Sequence, residues 1–157
     1  MICIITHVQH IKNKNHYYGY GPYIREMNIW LNHVDEVILV APLIEDELNP
    51  IYEKYNHSNL HFYQVQEFTI SSLSNIFKTL IRLPKVFFQV YKAMAQSDHI
   101  HLRCPGNIGL IGAIVQILFP NKQKTAKYAG NWDPKSKQPW SYRLQKWILS
   151  NTFLTRN

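Results

Sequence analysis

Arg103 stands at the tip of an apolar run in His99-Ile100-His101-Leu102-Arg103-Cys104-Pro105-Gly106-Asn107, followed by an Asn placed to cap a helix. A guanidinium there offers a planar fork of donors suited to phosphate or carboxylate, and a salt bridge to a neighbouring acid has an equal claim on it. His99 and His101 alternate onto one side of the same run, but no third ligand has matching spacing. They read as packing or hydrogen-bonded histidines, and no metal is expected. A second group is Tyr128-Ala129-Gly130-Asn131-Trp132-Asp133-Pro134, with Gln138-Pro139-Trp140 beyond. Aromatic faces stack on sugar rings while Asn131 and Asp133 can bond hydroxyls; the same residues also make a common turn, with Trp132 plugging the core. Spacing leaves both readings open. A third group is Tyr17-Tyr18-Gly19-Tyr20-Gly21 ahead of Pro22. Gly19, Tyr20 and Gly21 would let the backbone approach a phosphate at a helix N-terminus, or simply allow a tight turn into that helix. Ile24 occupies the place of the third glycine of a dinucleotide fingerprint, which argues against a nicotinamide cofactor.

The elements that must position these groups are short β-branched runs alternating with helical periodicities, the pattern of βαβ units and a parallel sheet covered on both faces. Strands are expected at Ile2 to Thr6, Val37 to Ala41, His61 to Val65, His99 to Arg103 and Thr125 to Ala129. Helices are expected from about Tyr23 to Asn32, from Ser71 to Gln96 with a break near Leu83 ahead of Pro84, from Asn107 to Leu118, and from Trp140 to Ser150. Thr152 to Thr155 reads as the start of a sixth strand. Ligands of such sheets lie beyond the carboxyl ends of the strands, so the loops His7 to Pro22, Arg103 to Asn107 and Gly130 to Pro139 should converge at one edge.

The 157 residues suit one α/β domain of ordinary size, and 46% hydrophobic with 17% charged residues excludes a disordered chain. Seventeen Lys and Arg against ten Asp and Glu give +7, favouring anionic partners. The basic residues are dispersed and form no nucleic-acid-binding module. Cys3 and Cys104 make neither a disulfide framework nor a paired-cysteine metal site, which suits a reducing cytoplasm. Nothing reaches the length of a membrane span. Lys78, Arg82, Lys85 and Lys92 share one helical face, beside Phe77, Leu80, Ile81, Phe87, Phe88 and Tyr91. Two readings stand: aromatics packed on the sheet beneath a solvated basic face, or a helix that docks on an anionic membrane.

Together these loops resemble glycosyltransferases of the GT-B fold, of the group-1 (family four) type that elongates bacterial surface glycans. The likeness runs over essentially all of residues 1–157. It rests on the opening strand with its Gly-containing loop and helix, on Asp98-His99-Ile100-His101-Leu102-Arg103-Cys104-Pro105, which looks like an Asp-x-x-His-x-Arg-x-Pro variant, and on Tyr128-Ala129-Gly130-Asn131-Trp132, which looks like a Tyr-x-Gly-x-Trp stretch. The resemblance implies an N-terminal, acceptor-side Rossmann-like domain with an open, mainly parallel sheet. A C-terminal domain, absent from this sequence, would bind the nucleotide-diphosphate sugar through paired glutamates. It implies no cofactor beyond that co-substrate, a glycan or lipid-linked acceptor, and a cleft holding Gly19, Tyr20, Gly21, Arg103, Asn107, Gly130, Asn131, Trp132 and Asp133. Many relatives carry His where Arg103 stands, and the first loop lacks the full Gly-x-Gly-Gly pattern. A non-catalytic flavodoxin-like ligand-binding module is the alternative.

Overall fold

The computed structural model describes residues 1–66, 73–131, 133 and 135–155, with the side chains of 73–81 left out. Five strands form a parallel sheet: β1 (Ile2–Ile5), β4 (Val37–Ile44), β6 (Leu60–Val65), β7 (His99–Cys104) and β8 (Gln123–Tyr128). Their spatial order is β6-β4-β1-β7-β8, with Ile2 to Ile5 in register with Val37 to Val40 on one side and His99 to Leu102 on the other. The architecture is α/β with an open, mostly parallel sheet. Chain order reverses between β1 and β7, the place where such sheets form a crevice.

The central strands β1 and β4 are buried on both faces, which explains their near-continuous apolar composition, whereas the edge strands β6 and β8 are largely exposed or half-buried and more polar. Cys3 and Ile5 of β1, Ile38 and Val40 of β4, and Ile100 and Leu102 of β7 enter one core. Ile2, Ile4, Val37, Leu39 and Ala41 enter the other. The second core is closed by α1 (Gly21–Leu31), which buries Tyr23, Ile24, Met27 and Leu31; each such side chain contributes about 1.5–3 kcal/mol. Pro22 lies in its first turn, where a missing N–H costs nothing. The first core is covered by α2 (Leu73–Gln96), α3 (Asn107–Val115), a single 3-10 turn at Gln116–Leu118, and α4 (Trp140–Ser150).

The five expected parallel strands and the four helices are present, and four features differ. The stretch after β1 is a hairpin of β2 (His10–Asn13) and β3 (His16–Tyr20), not a loop. Its two-residue turn holds Lys14 at φ 53°, a left-handed conformation. β2 adds in parallel to the end of β4, and β3 pairs with β5 (Tyr52–Lys54), extending the sheet to eight strands in the order β5-β3-β2-β4-β1-β7-β8 with β6 also on β4. α2 runs through Pro84 as one helix instead of breaking, held to the sheet by Val86, Val90, Ala93 and Met94. Phe87, Phe88 and Tyr91 stay exposed, so packing of these aromatics on the sheet is not what holds the helix. Phe77, Lys78, Leu80 and Ile81 belong to the side chains left out.

The fourth difference is at 152–155, where the expected strand is a turn. Asn151 Oδ1 accepts from the N–H groups of Phe153 and Leu154 at 2.9 and 3.1 Å, and Thr155 Oγ1 donates to the Ile148 carbonyl at 2.8 Å. An Asn side chain that satisfies the next two amides outcompetes extension of the chain. Lys122 closes the far end of α2, its ammonium donating to the carbonyls of Met94, Ala95 and Ser97 at 2.6, 2.8 and 2.5 Å.

Candidate functional site

At the carboxyl ends of β1, β7 and β8 the chain makes three adjacent departures. The Ala129 amide donates to the Cys104 carbonyl at 2.7 Å, tying the β8 exit to the β7 exit. His7, leaving β1, lies across Gly106: a Cβ added there would sit 2.9 Å from His7 Cγ and Nδ1. Gly106 is required by this close approach; its extended backbone suits any residue. The Cys104–Pro105 peptide is cis, and Gly106 then occupies the N-cap of α3. Its amide donates at 3.2 Å to Oε1 of the buried Gln145, a residue of α4 whose own Nε2 donates to the Ser141 carbonyl. Thus β1, β7, α3 and α4 are locked together at the floor of the crevice.

Arg103 forms one wall. Its guanidinium lies 3.7 Å from Glu26 of α1, and its Cζ stands 4.7 Å from the centre of the Tyr23 ring. Glu26 also receives Lys127 of β8 at 2.5 Å. One carboxylate therefore faces two cations, and the longer contact leaves Arg103 in reach of a second anion. Beneath this corner lies a buried polar group of Tyr23, Tyr55, Thr6 and His10. Burial raises the Tyr23 phenol above its ordinary value, against the opposing influence of the neighbouring Tyr55 and Thr6 hydroxyls and the charge of Arg103. His10 Nε2 meets the Tyr55 hydroxyl at 3.0 Å, and burial lowers His10 to about 4. These residues hold the hairpin and α1 against the sheet, and so fix the support on which Arg103 rests.

The remaining expected site residues are differently employed. Gly19 packs against Ile24 Cδ1 and the His10 ring. The Gly21 amide donates to the Ile51 carbonyl at 2.9 Å, and a Cβ there would meet that oxygen at 2.6 Å. Its N–H is taken by the segment leading into β5, which removes it from any phosphate cradle. Tyr20 is exposed at the N-cap of α1. Asn107 is the first residue of α3, not its cap, because Gly106 takes that place.

Asn131 Oδ1 accepts from the Asp133 amide and Asp133 Oδ1 from the Lys135 amide, both at 2.9 Å, so the turn reading accounts for both oxygens. Gly130 passes over the Tyr128 ring at a distance a side chain would not tolerate. Gln138 Nε2 donates to the Asn131 carbonyl at 2.6 Å, folding this loop over β8, and Trp140 beyond it is exposed. Trp132 and Pro134 lie outside the described residues. The crevice therefore unites His7, Arg103, Gly106 and the exits to Asn107 and Ala129.

His99 and His101 point to one face, as their alternation requires, and share a single partner: His99 Nε2 and His101 Nδ1 lie 2.9 and 2.8 Å from Thr125 Oγ1. One hydroxyl can donate to one ring and accept from the other, and burial lowers both imidazoles, His101 to about 4. Among the described residues no group of three or more His, Cys, Asp or Glu could hold a metal. No protein-family model, curated protein or solved structure matches this chain. The geometry of the crevice therefore carries the functional argument by itself.

Glu26, Tyr23, His7 and Gln145 were missed in the sequence. Only His7 carries a local signal, as the first polar ring after a fully apolar strand.

Proposed function

We propose that this chain is the acceptor-side, Rossmann-like domain of a glycosyltransferase that moves a sugar from a nucleotide-diphosphate donor to a glycan or lipid-linked acceptor. The observation that carries the reading is the position of Arg103. It stands at a strand tip in the crevice where chain order reverses, seated on Tyr23 and only loosely paired with Glu26. A fork of donors in that place binds a phosphoryl or carboxylate group. The start of α3 beside it adds backbone dipole of the same sign, while the Gly106 amide itself is taken by Gln145 Oε1 at 3.2 Å.

His7 and the turn carrying Asn131 and Gln138 supply the polar edge that a sugar ring needs. In this reading the domain binds and orients acceptor, while a second domain delivers the donor. The flavodoxin-like alternative draws on Glu26, which already compensates two cations of the crevice. It expects binding of a small anion with no transfer.

The test is sugar transfer by the full gene product from radiolabelled uridine, guanosine and thymidine diphosphate sugars to acceptors in membrane extracts. Transfer should fall by about tenfold or more in Arg103→Ala, the loss expected for one charge-assisted contact of about 1.5–3 kcal/mol. Arg103→Lys should restore part of it. Saturable anion binding without transfer from any of these donors would select the flavodoxin-like module instead.

A further inference from the structure

α2 presents two surfaces that its packing covers only in part, Tyr91 lying on Phe119 on one flank and Lys92 over Tyr63 on the other. Val86, Val90, Ala93 and Met94 form the arc that meets the sheet. On the outward side Phe88 is 65% exposed, Phe87 39% and Tyr91 40%. The neighbouring ridge adds Ile114 at 41% and Leu118 at 57%. Between α2 and α3 lies an open hollow of about 340 Å³, lined by Leu83, Pro84, Phe87, Ile111 and Ile114, all apolar. On the opposite flank of α2 a groove of about 510 Å³ runs along β6, at the edge of the parallel sheet, and is lined by Arg82, Lys85 and Lys92 together with Gln64, Gln89 and Phe88. The apolar ridge and the basic rim are thus contiguous through Phe88.

Charge is distributed to match. Thirteen of the seventeen Lys and Arg, but only two of the ten Asp and Glu, lie after residue 67. α2 contains no acid, and α3 with its following turn contains no charged residue. A compact protein partner would have to bring its own acids to this rim, whereas an anionic bilayer offers an apolar layer beneath a plane of negative headgroups. Among the described residues no helix is long and apolar enough to cross a membrane, which leaves an in-plane geometry for α2.

From this juxtaposition we infer that the outward face of α2, with the ridge of Ile114 and Leu118, docks on an anionic lipid bilayer. Phe87, Phe88 and Tyr91 enter the boundary between headgroups and acyl chains while Arg82, Lys85 and Lys92 meet the lipid phosphates. The inference is independent of the transferase reading, since it uses no residue of the crevice.

Co-sedimentation of the full chain with phosphatidylglycerol-containing vesicles and with pure phosphatidylcholine vesicles tests it, at low and high salt. Binding should require the anionic lipid and weaken in high salt. Each cation near such a surface is worth about fivefold in partitioning, so Lys85→Ala with Lys92→Ala should weaken binding about 25-fold. Phe87→Ser with Phe88→Ser should weaken it about tenfold or more and remove what survives high salt. The lysine variant should keep the parent's thermal midpoint, and Phe88→Ser alone, at the most exposed of the three aromatics, separates loss of docking from loss of the packing that Phe87 makes in the hollow. Equal binding to both vesicle types, no binding to either, or undiminished binding by the double Phe variant would overturn the inference. So would sedimentation velocity showing that the face is occupied by a second copy, its acidic stretch Glu45-Asp46-Glu47 pairing with the basic rim.

Discussion

Acid should unfold this protein through two histidines that have no room for a proton. His10 is fully buried, stacked on Tyr55 with ring centres 5.6 Å apart, with Phe62 and Tyr23 edge-on at 5.6 and 6.3 Å. His101 is 2% exposed, bonded to Thr125 and covered by the Trp30 ring at 4.9 Å. Burial lowers each from 6.5 to about 4, and for His101 the charges of His99, Arg103 and Lys127 act in the same direction against the pull of Glu26. The unfolded chain takes up these protons near 6.5, while the folded chain resists until about 4. The unfolded state therefore holds more protons throughout that window, and stability falls as pH falls through it. Above 6.5 both forms are neutral and this contribution to stability is complete.

A difference of about 2.5 in pKa, at about 1.36 kcal/mol for each, makes the full loss about 3 kcal/mol per histidine. Two such losses are comparable with the whole stability of an ordinary domain, about 5–15 kcal/mol. Urea titrations followed by tryptophan fluorescence between about pH 7 and 5 should show stability dropping by up to about 2.5 kcal/mol per pH unit at the steepest point. His10→Phe keeps a ring in the stack, removes one titration, and should roughly halve that slope. Constant stability across the window, or an unchanged slope in His10→Phe, would refute the reasoning.

Three further outcomes follow from particular contacts. Gly106→Ala should displace His7, cost about 1–3 kcal/mol in thermal unfolding, and reduce ligand binding in the crevice, because the new methyl group cannot coexist with the ring at 2.9 Å. Lys122→Met keeps the stem but leaves the carbonyls of Met94, Ala95 and Ser97 without their cation, and should cost about 1–3 kcal/mol by chemical denaturation. Cys3 and Cys104 should resist a thiol reagent in the native protein and react at once in urea, since both are buried, and burial pushes the Cys3 thiol far up and Cys104 up to about 12.

The central strands β1 and β4 were legible because burial on both faces demands an unbroken apolar run, as in Ile2 to Ile5 and Val37 to Ala41. The hairpin was not. Apart from Ile11 and Gly19 its strands are composed of His, Lys, Asn and Tyr, and β2 is stabilised by the far end of β4, a partner no local pattern announces. The turn Asn13-Lys14-Asn15-His16 between two Tyr- and Ile-containing stretches was the available signal.

Arg103 was legible as a charged group at a strand tip, but not its pairing with Glu26, since the two meet only when α1 crosses the sheet. On α2 the periodicity marked the arc of Phe87, Phe88 and Tyr91 beside the basic residues and passed over the arc that meets the sheet. The arc of Val86, Val90, Ala93 and Met94 packs because Val and Ala let the helix approach the sheet closely while Met94 fills the core, which leaves the aromatic arc outside.

The central claim is that the crevice at the ends of β1, β7 and β8 is the ligand site. It is tested most directly by mapping backbone amide shifts while titrating disaccharide 1-diphosphates, uridine diphosphate and inorganic phosphate into the isotope-labelled chain. Saturable shifts with the saccharide ligand should centre on His7, Arg103, Gly106, Asn107 and Ala129, and should vanish in Arg103→Ala while that variant stays folded. Shifts centred elsewhere, or the same response to inorganic phosphate alone, would contradict it.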